Sequence, residues 1–272
     1  MGKAKFWHCR DRVIDLTEPV IMGIVNVTPD SFSDGGLHAT HEKAVAFAKK
    51  LAEDGALILD IGGESTRPGA TPVSFEEEAN RVLPVVETLV NEGYTVSVDT
   101  YKPQMMREAL ALGAHIINDV KALTEEGALE AVAGSGAGVV LMHFDAVRCG
   151  HLFEDIEGFL KERVAAAIKA GIPCETISLD PGFGFGKTME ENLELLEKFD
   201  AFDAGEFPIL IGVSRKRMIG KITGIADPAK RGAGSVAAAV KLAGKGAQIL
   251  RVHDVKETRE ALQRAGYLHR MQ

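Results

Sequence analysis

Polar and charged side chains recur along this 272-residue chain at one kind of place, the far end of a short apolar run. Asn26 falls in IMGIVNV, Asp60 in LILDIGG, Asp99 in TVSVDT, Asn118 in HIINDV, His143 in GVVLMHF and Asp180 in ISLDPG. Ser214 closes PILIGVS with Lys216 just beyond it, and Arg251 and His253 share QILRVHD. Any one of these could simply mark a strand exit and cap the helix that follows. Asp and Asn are depleted in strands, however, and burying them without partners is costly, so a shared polar pocket accounts better for the whole set. Lys216, Arg217, Arg251 and His253 would supply its cationic part, fit for a phosphate-like anion. Asp99, Asn118 and Asp180 offer acceptors, and Asn118 a donor as well, which suits the edge of a flat nitrogen heterocycle. The ligand implied is half aromatic and half anionic.

Other chemistries drop out on spacing. PGFGFGKT resembles a phosphate loop, but Pro181 stands where the first glycine is required. No HxH follows the first apolar run, and neither GxSxG nor HExxH occurs, which removes metal-dependent and nucleophilic hydrolysis. Lys216 stays open as a Schiff-base nucleophile, as in barrel aldolases, while Arg215 and Arg217 beside it suit anion binding equally well. The formal net charge of -8 argues against a whole-surface affinity for nucleic acid or anionic lipid, so a cationic site must be local. Cys9, Cys149 and Cys174 are widely spaced and form no CxxC, which predicts reduced thiols. Without a signal-peptide core or an apolar run of about 18 residues, the expected setting is cytoplasmic.

What positions these residues is a repeated unit. The runs at 21–27, 57–63, 95–100, 115–120, 138–144, 177–182, 208–214 and 248–254 are short and nearly continuously apolar, the pattern of strands buried on both faces. Helical spacing lies between them, as in Ala44, Phe47, Ala48 and Leu51 or Val236, Ala239, Val240 and Ala243. Ser74 with Glu77 and Thr188 with Glu191 have capping-box spacing, while Gly55, Gly93, Gly171 and Gly266 mark helix ends. Eight βα units in a chain of this length predict a single α/β domain over residues 1–272, a (β/α)8 TIM barrel with its active face at the C-terminal ends of the strands. A doubly wound sheet is the alternative. Residues 1–20 precede the first unit and predict a short hairpin or a plug under the barrel.

MGIVNVTPDSFSDGG (22–36), DIGGESTRPGA (60–70), SVDTYKP (97–103), INDV (117–120), LDPGFGFGKT (179–188), GVSRKRMIG (212–220) and LRVHDVKET (250–258) resemble, in order, the segments of the dihydropteroate synthase family of pterin-binding barrels. The resemblance implies a transferase of folate biosynthesis that joins 4-aminobenzoate to 6-hydroxymethyl-7,8-dihydropterin diphosphate and releases pyrophosphate with Mg²⁺ present. Sulfonamides inhibit that family by mimicking 4-aminobenzoate. Carried over by position, Asp99, Asn118, Asp180 and Lys216 would contact the pterin, with Met142 against its ring. Asn26 would hold the metal and diphosphate, and Arg251, His253 and Arg67 would grip the phosphates. Thr66, Pro68, Phe185 and Arg217 would shape the 4-aminobenzoate site, and Gly212 would join the substrate-binding residues. Asp60 reads as structural or as a support for a neighbouring site residue. A homodimer is implied as well.

In that family the loops after the first two strands close over bound diphosphate, which explains an ESTRPG segment with Gly62 and Gly63 as hinges and Arg67 and Pro68 as the engaging tip. One region departs from the family pattern: MHFDAVRCGHLFEDI (142–156) replaces the usual segment after the fifth strand and brings in Asp145, Arg148 and His151. Two further rivals stand beside the Schiff-base aldolase. A methyl transfer from methyltetrahydrofolate would have no need of ESTRPG or SRKR, and a non-catalytic pterin-binding barrel would release no pyrophosphate.

Overall fold

The computed structural model describes residues 4–28, 36–64, 72–147 and 150–269, with backbone only for 36–39. After a hairpin of β1 (Phe6–Cys9) and β2 (Arg12–Asp15), eight parallel strands follow in chain order among the described residues. They are β3 (Val20–Asn26), β4 (Ile58–Gly62), β5 (Val96–Asp99), β6 (Ile116–Asp119), β7 (Gly138–Met142), β8 (Ile177–Asp180), β9 (Leu210–Ile211) and β10 (Ile249–Val252). Each pairs with the next, and β10 pairs back onto β3. Between β8 and β9 the ring closes through a single parallel bridge, Leu179 to Ile209, beside a bond from the Leu179 N–H to the Pro208 carbonyl at 2.9 Å. The architecture is the expected TIM barrel, and the doubly wound alternative falls with that closure.

The strand next to the bridge is far shorter than the 208–214 run. Pro208 has no N–H to give to a ladder, and the chain leaves the sheet beyond Ile211. Around the ring lie α1 (Gly36–Asp54), α2 (Phe75–Asn91), α3 (Pro103–Ala111), α4 (Ala128–Val132), α5 (Leu152–Lys169), α6 (Met189–Glu197), α7 (Arg217–Thr223), α8 (Gly232–Gly244) and α9 (Val255–Arg264). Thr188 and Glu191 form the full reciprocal capping box of α6. Ser74 accepts from the Glu77 N–H, whereas the Glu77 carboxylate turns to Arg81. Gly55, Gly93, Gly171 and Gly266 all follow helices at positive φ, where a side chain would be strained. The apolar faces sit slightly differently from the spacing. In α1 Ala44, Ala48 and Leu51 are buried while Phe47 is 40% exposed, and in α8 the buried stripe runs through Ser235, Ala238, Ala239 and Leu242, leaving Val236 and Val240 half-exposed.

Alternation along each strand separates two cores. Leu59, Ile61, Ile117, Val139, Leu141, Ile177, Leu179, Leu250 and Val252 point outward and pack under the helices. Ile58, Ile116, Val140, Leu210 and Ile249 point inward with Val20 and Met22, and the hairpin's Trp7, Cys9, Ile14 and Leu16 join them at the N-terminal end of the barrel. The Trp7 indole N–H there donates to the Thr176 carbonyl at 2.7 Å. Among the described residues no helix is long and apolar enough to cross a membrane.

Candidate active site

Two residues beyond the inward apolar layer, the same parity aims Asp60, Asp99, Asn118, Met142, Asp180, Gly212 and Arg251 into the C-terminal mouth of the barrel. Arg251 reaches across to β4 and β5: its Nε donates to Asp60 Oδ2 at 2.6 Å and its Nη2 to Asp99 Oδ2 at 2.6 Å. Asn118 Nδ2 donates to the same Asp60 oxygen at 3.1 Å. The remaining carboxylate oxygens, Asp60 Oδ1 and Asp99 Oδ1, are buried and unpartnered among the described residues. Burial lifts Asp99 to about 7; the Arg251 charge opposes that rise and the neighbouring Asp60 adds to it. Burial works against the Arg251 cation too, yet Asp60 and Asp99 hold it firmly protonated, above its ordinary value.

Asp180 enters from the other side of the mouth. Burial raises its pKa, against the pull of Lys216, and its Oδ1 accepts from the Gly182 N–H at 2.7 Å. Burial lowers Lys216 to about 8, with Asp180 opposing the drop. The Lys216 ammonium donates to the Phe183 carbonyl at 2.5 Å and lies 4.5 Å from the centre of the Phe185 ring. Asp60, Asp99, Asn118, Asp180, Lys216 and Arg251 thus face one cavity, with acceptors and donors set for a planar, hydrogen-bonding ligand.

His253 extends this cluster toward the rim, where its backbone N–H and its Nδ1 meet the Ser214 hydroxyl at 3.2 and 2.9 Å. Arg215 turns away: at φ 59° it sits in the left-handed region, and its guanidinium pairs with Asp254 at 2.6 Å. That reversal leaves Lys216 aimed inward and Arg217 exposed at the start of α7. Phe185 is half-exposed, Met142 is buried, and Asn26 stands half-buried at the end of β3. Thr66, Arg67, Pro68 and Arg148 lie outside the described residues.

Several expectations change. His143, counted among the polar strand ends, follows inward Met142 and so points outward, its ring edge-on to Phe159 at 5.1 Å. Burial, with the Lys187 cation next in weight, lowers it to about 4. Asp60 takes the supporting role of the two the sequence left open, holding the guanidinium of Arg251. Gly63 also has a packing role: a Cβ there would lie 2.7 Å from Val82 Cγ2, so its smallness lets α2 approach the strand. Of the unusual 142–156 stretch, His151 is exposed before α5. Two groups went unread in the sequence. Glu64, at the end of the second unit's strand, accepts from Lys102 at 2.5 Å and from the Tyr101 hydroxyl at 2.9 Å, and Lys102 also binds Glu78. Lys187, set aside with the failed phosphate loop, bonds to His143 and to three carbonyls.

The mouth offers little to a resident metal. Among the described residues no three His, Cys, Asp or Glu side chains could hold an ion together. Asn26 supplies one hard oxygen donor, which fits an ion carried mainly by the phosphates of a ligand.

The family model described as pterin binding enzyme matches residues 22–253. This chain belongs to the pterin-binding enzymes. It is similar to the dihydropteroate synthase of Escherichia coli K12, 48% identical over 258 residues, with 92% of this chain and 91% of the relative covered. Solved structures agree. Dihydropteroate synthase of Xanthomonas albilineans with 4-aminobenzoic acid is 50% identical with a TM-score of 0.92, over 98% of this chain and all 100% of the other. The enzyme from the same organism in complex with 7,8-dihydropteroate is 48% identical with a TM-score of 0.89, over 97% and 100%. Those relatives make the pterin-binding barrel the frame in which the mouth must be understood.

Proposed function

We propose that this pterin-binding enzyme is a dihydropteroate synthase, a transferase that condenses 6-hydroxymethyl-7,8-dihydropterin diphosphate with 4-aminobenzoate to give 7,8-dihydropteroate and pyrophosphate. The observation that carries the reading is the inward cluster of Asp60, Asp99, Asn118, Asp180, Lys216 and Arg251 in one mouth. Asp99, Asn118 and Asp180 take the hydrogen-bonding edge of the pterin, with Met142 against its face and Lys216 at its side. The open carboxylate oxygens of Asp60 and Asp99 await ring and exocyclic N–H donors.

Arg251, with two carboxylates already bound, acts as an oriented donor more than as a free cation. Its Nη1 makes no bond to the described residues and can serve the diphosphate. His253, Arg67 and Gly212 complete the grip on that substrate; Asn26 would lend one oxygen to a magnesium ion bound with the diphosphate, which would supply charge stabilisation to the leaving group. The carbon–oxygen bond at the pterin methylene breaks, its electron pair leaving with pyrophosphate while ring nitrogen density stabilises the developing cation. The arylamine nitrogen then forms the new bond and gives up its proton. Thr66, Pro68 and Phe185 wall the arylamine site, and exposed Arg217 stands ready for the 4-aminobenzoate carboxylate.

A homodimer belongs to the reading. A cytoplasmic setting goes with the free thiols Cys9 and Cys174. Pyrophosphate release measured with and without 4-aminobenzoate tests the whole reading. Release that depends on both substrates supports it. Binding of the diphosphate without release leaves a non-catalytic barrel, methyl transfer from methyltetrahydrofolate to a corrinoid acceptor would favour that rival, and borohydride trapping of a carbonyl substrate on Lys216 would favour the aldolase.

A further inference from the structure

The connection from β8 to α6 is wrapped around a single ammonium. Lys187 Nζ lies 2.8 Å from His143 Nδ1, 3.0 Å from the Gly182 carbonyl, 3.2 Å from the Phe185 carbonyl and 3.3 Å from the His143 carbonyl. Burial pushes this amine down to about 7, a cost that a solvated surface lysine would escape. The loop is also held from its helix side. Asn192 Oδ1 accepts from the Gly184 N–H at 2.6 Å, and Asn192 Nδ2 donates to the carbonyls of Thr188 and Lys187 at 2.6 and 3.2 Å.

The backbone leaves no room for a looser path. Gly182 is at φ 72° and Gly186 at φ 61°, and a Cβ at these positions would stand 1.8 Å from the His143 carbonyl oxygen and 2.2 Å from the Asp145 carbonyl oxygen. The loop is therefore pressed onto the chain leaving β7. What it presents to the mouth is the Phe183 carbonyl, which accepts from Lys216, and the Phe185 ring beneath the same ammonium. Lys187 itself spends its donors on the loop, and His143, out of the mouth, spends its ring on Phe159 and Lys187.

We propose that Lys187 is a positioning residue, a hydrogen-bonding pin that fixes the 182–187 loop so that Phe185 and the Phe183 carbonyl hold their places against Lys216. It thereby sets the capture of the second, aromatic-amine substrate, and this rests on the dihydropteroate synthase reading. The test uses the full chain with Lys187→Met and initial rates at saturating pterin diphosphate. The expected result is a KM for 4-aminobenzoate raised by about tenfold, a kcat lowered by less than about threefold, and calorimetric binding of the pterin diphosphate changed by less than about threefold. In a double-mutant cycle with Phe185→Ala the two effects on KM should overlap rather than multiply, because Lys187 acts through that ring. Lys187→Arg, which keeps donors in place, should recover part of the loss.

An unchanged KM for 4-aminobenzoate, or effects that multiply fully with Phe185→Ala, overturns the proposal. Should Lys187→Met fail to fold, Asn192→Ala loosens the same loop with Lys187 in place and must give the same KM signature, and a wild-type KM there overturns it equally. A wild-type chain that releases no pyrophosphate sinks the functional reading instead, so the two failures are distinguishable.

Discussion

The two ends of the barrel interior are built from the same strands, only one pleat repeat apart, and their chemistry is opposite. At the N-terminal end Ile58, Ile116, Val140, Leu210 and Ile249 meet the hairpin's Trp7, Cys9, Ile14 and Leu16 in a closed apolar layer. About 7 Å further along the same inward faces stand Asp60, Asn118, Met142, Gly212 and Arg251. The first layer gains from burial, at about 1.5 to 3 kcal/mol for each large aliphatic or aromatic side chain. The second pays for it: burial drives Asp99 up to about 7 and Lys216 down to about 8, each toward its uncharged form. Stability is concentrated at one end so that unfavourably buried charge can be kept at the other.

The sharpest way to break that division is to compare Arg251→Ala with Trp7→Ala. Removing Arg251 leaves the Asp60 and Asp99 carboxylates buried without their cation, which should cost about 3 to 5 kcal/mol in urea unfolding. The same change should lower kcat/KM by about 10- to 150-fold, the equivalent of about 1.5 to 3 kcal/mol for a hydrogen bond to a charged group. Trp7→Ala should cost a similar 3 to 5 kcal/mol or so of stability through the cavity it opens, while folded enzyme keeps its kcat/KM. A catalytic defect in folded Trp7→Ala would show that the plug reaches the mouth, and wild-type turnover in Arg251→Ala would remove that residue from the site.

Lys216 sharpens the comparison through pH. Its folded pKa of about 8 lies below the ordinary lysine value, so the folded state loses this proton first and folding stability should rise as pH climbs from about 8 to about 10.5. Activity should move the other way. If the ammonium is the working form, kcat/KM for the pterin diphosphate falls above about pH 8, and Lys216→Arg pushes that alkaline limb upward. Lys216→Ala should lose about 10- to 150-fold in kcat/KM. An alkaline limb that stays put in Lys216→Arg would assign it to another group.

How far the sequence could be read follows from what each feature depends on. The barrel was legible because β-branched runs and helical spacing are local, and strand bounds moved by a residue or two, except at β9, where the chain leaves the sheet beyond Ile211. The residues of the mouth were legible as types at strand ends. Which of two adjacent residues points inward was not, since Met142 and His143 both end the same apolar run and only the pleat decides. The partnership of Asp60 with Arg251 joins positions 191 apart, and no local pattern encodes a contact at that separation. Lys187 was masked by its motif: a glycine-rich stretch ending in lysine invites a phosphate, whereas here the backbone carbonyls of its own loop take the charge. Phe47 on the exposed side of α1 shows that an i, i+3, i+4, i+7 pattern fixes a face only to within the width of one side chain.

The smallest effect should come from Gly212→Ala, which adds a single methyl group to the mouth. Gly212 continues the inward parity of Leu210, and a Cβ there would lie 3.9 Å from Arg251 Cβ and Cδ, ordinary contact with no backbone strain to oppose it. The folded chain should accept alanine with a stability change within about 0.5 kcal/mol. The added methyl nevertheless projects into the space above Arg251, and crowding of that order should weaken the pterin diphosphate by about 1 kcal/mol, roughly fivefold in Kd by calorimetry. The KM for 4-aminobenzoate should hold, because Phe185 and Lys216 are untouched. Unaltered pterin affinity in Gly212→Ala would mean that the glycine serves the turn out of β9, and the floor of the mouth would then be defined by Arg251 and its two carboxylates alone.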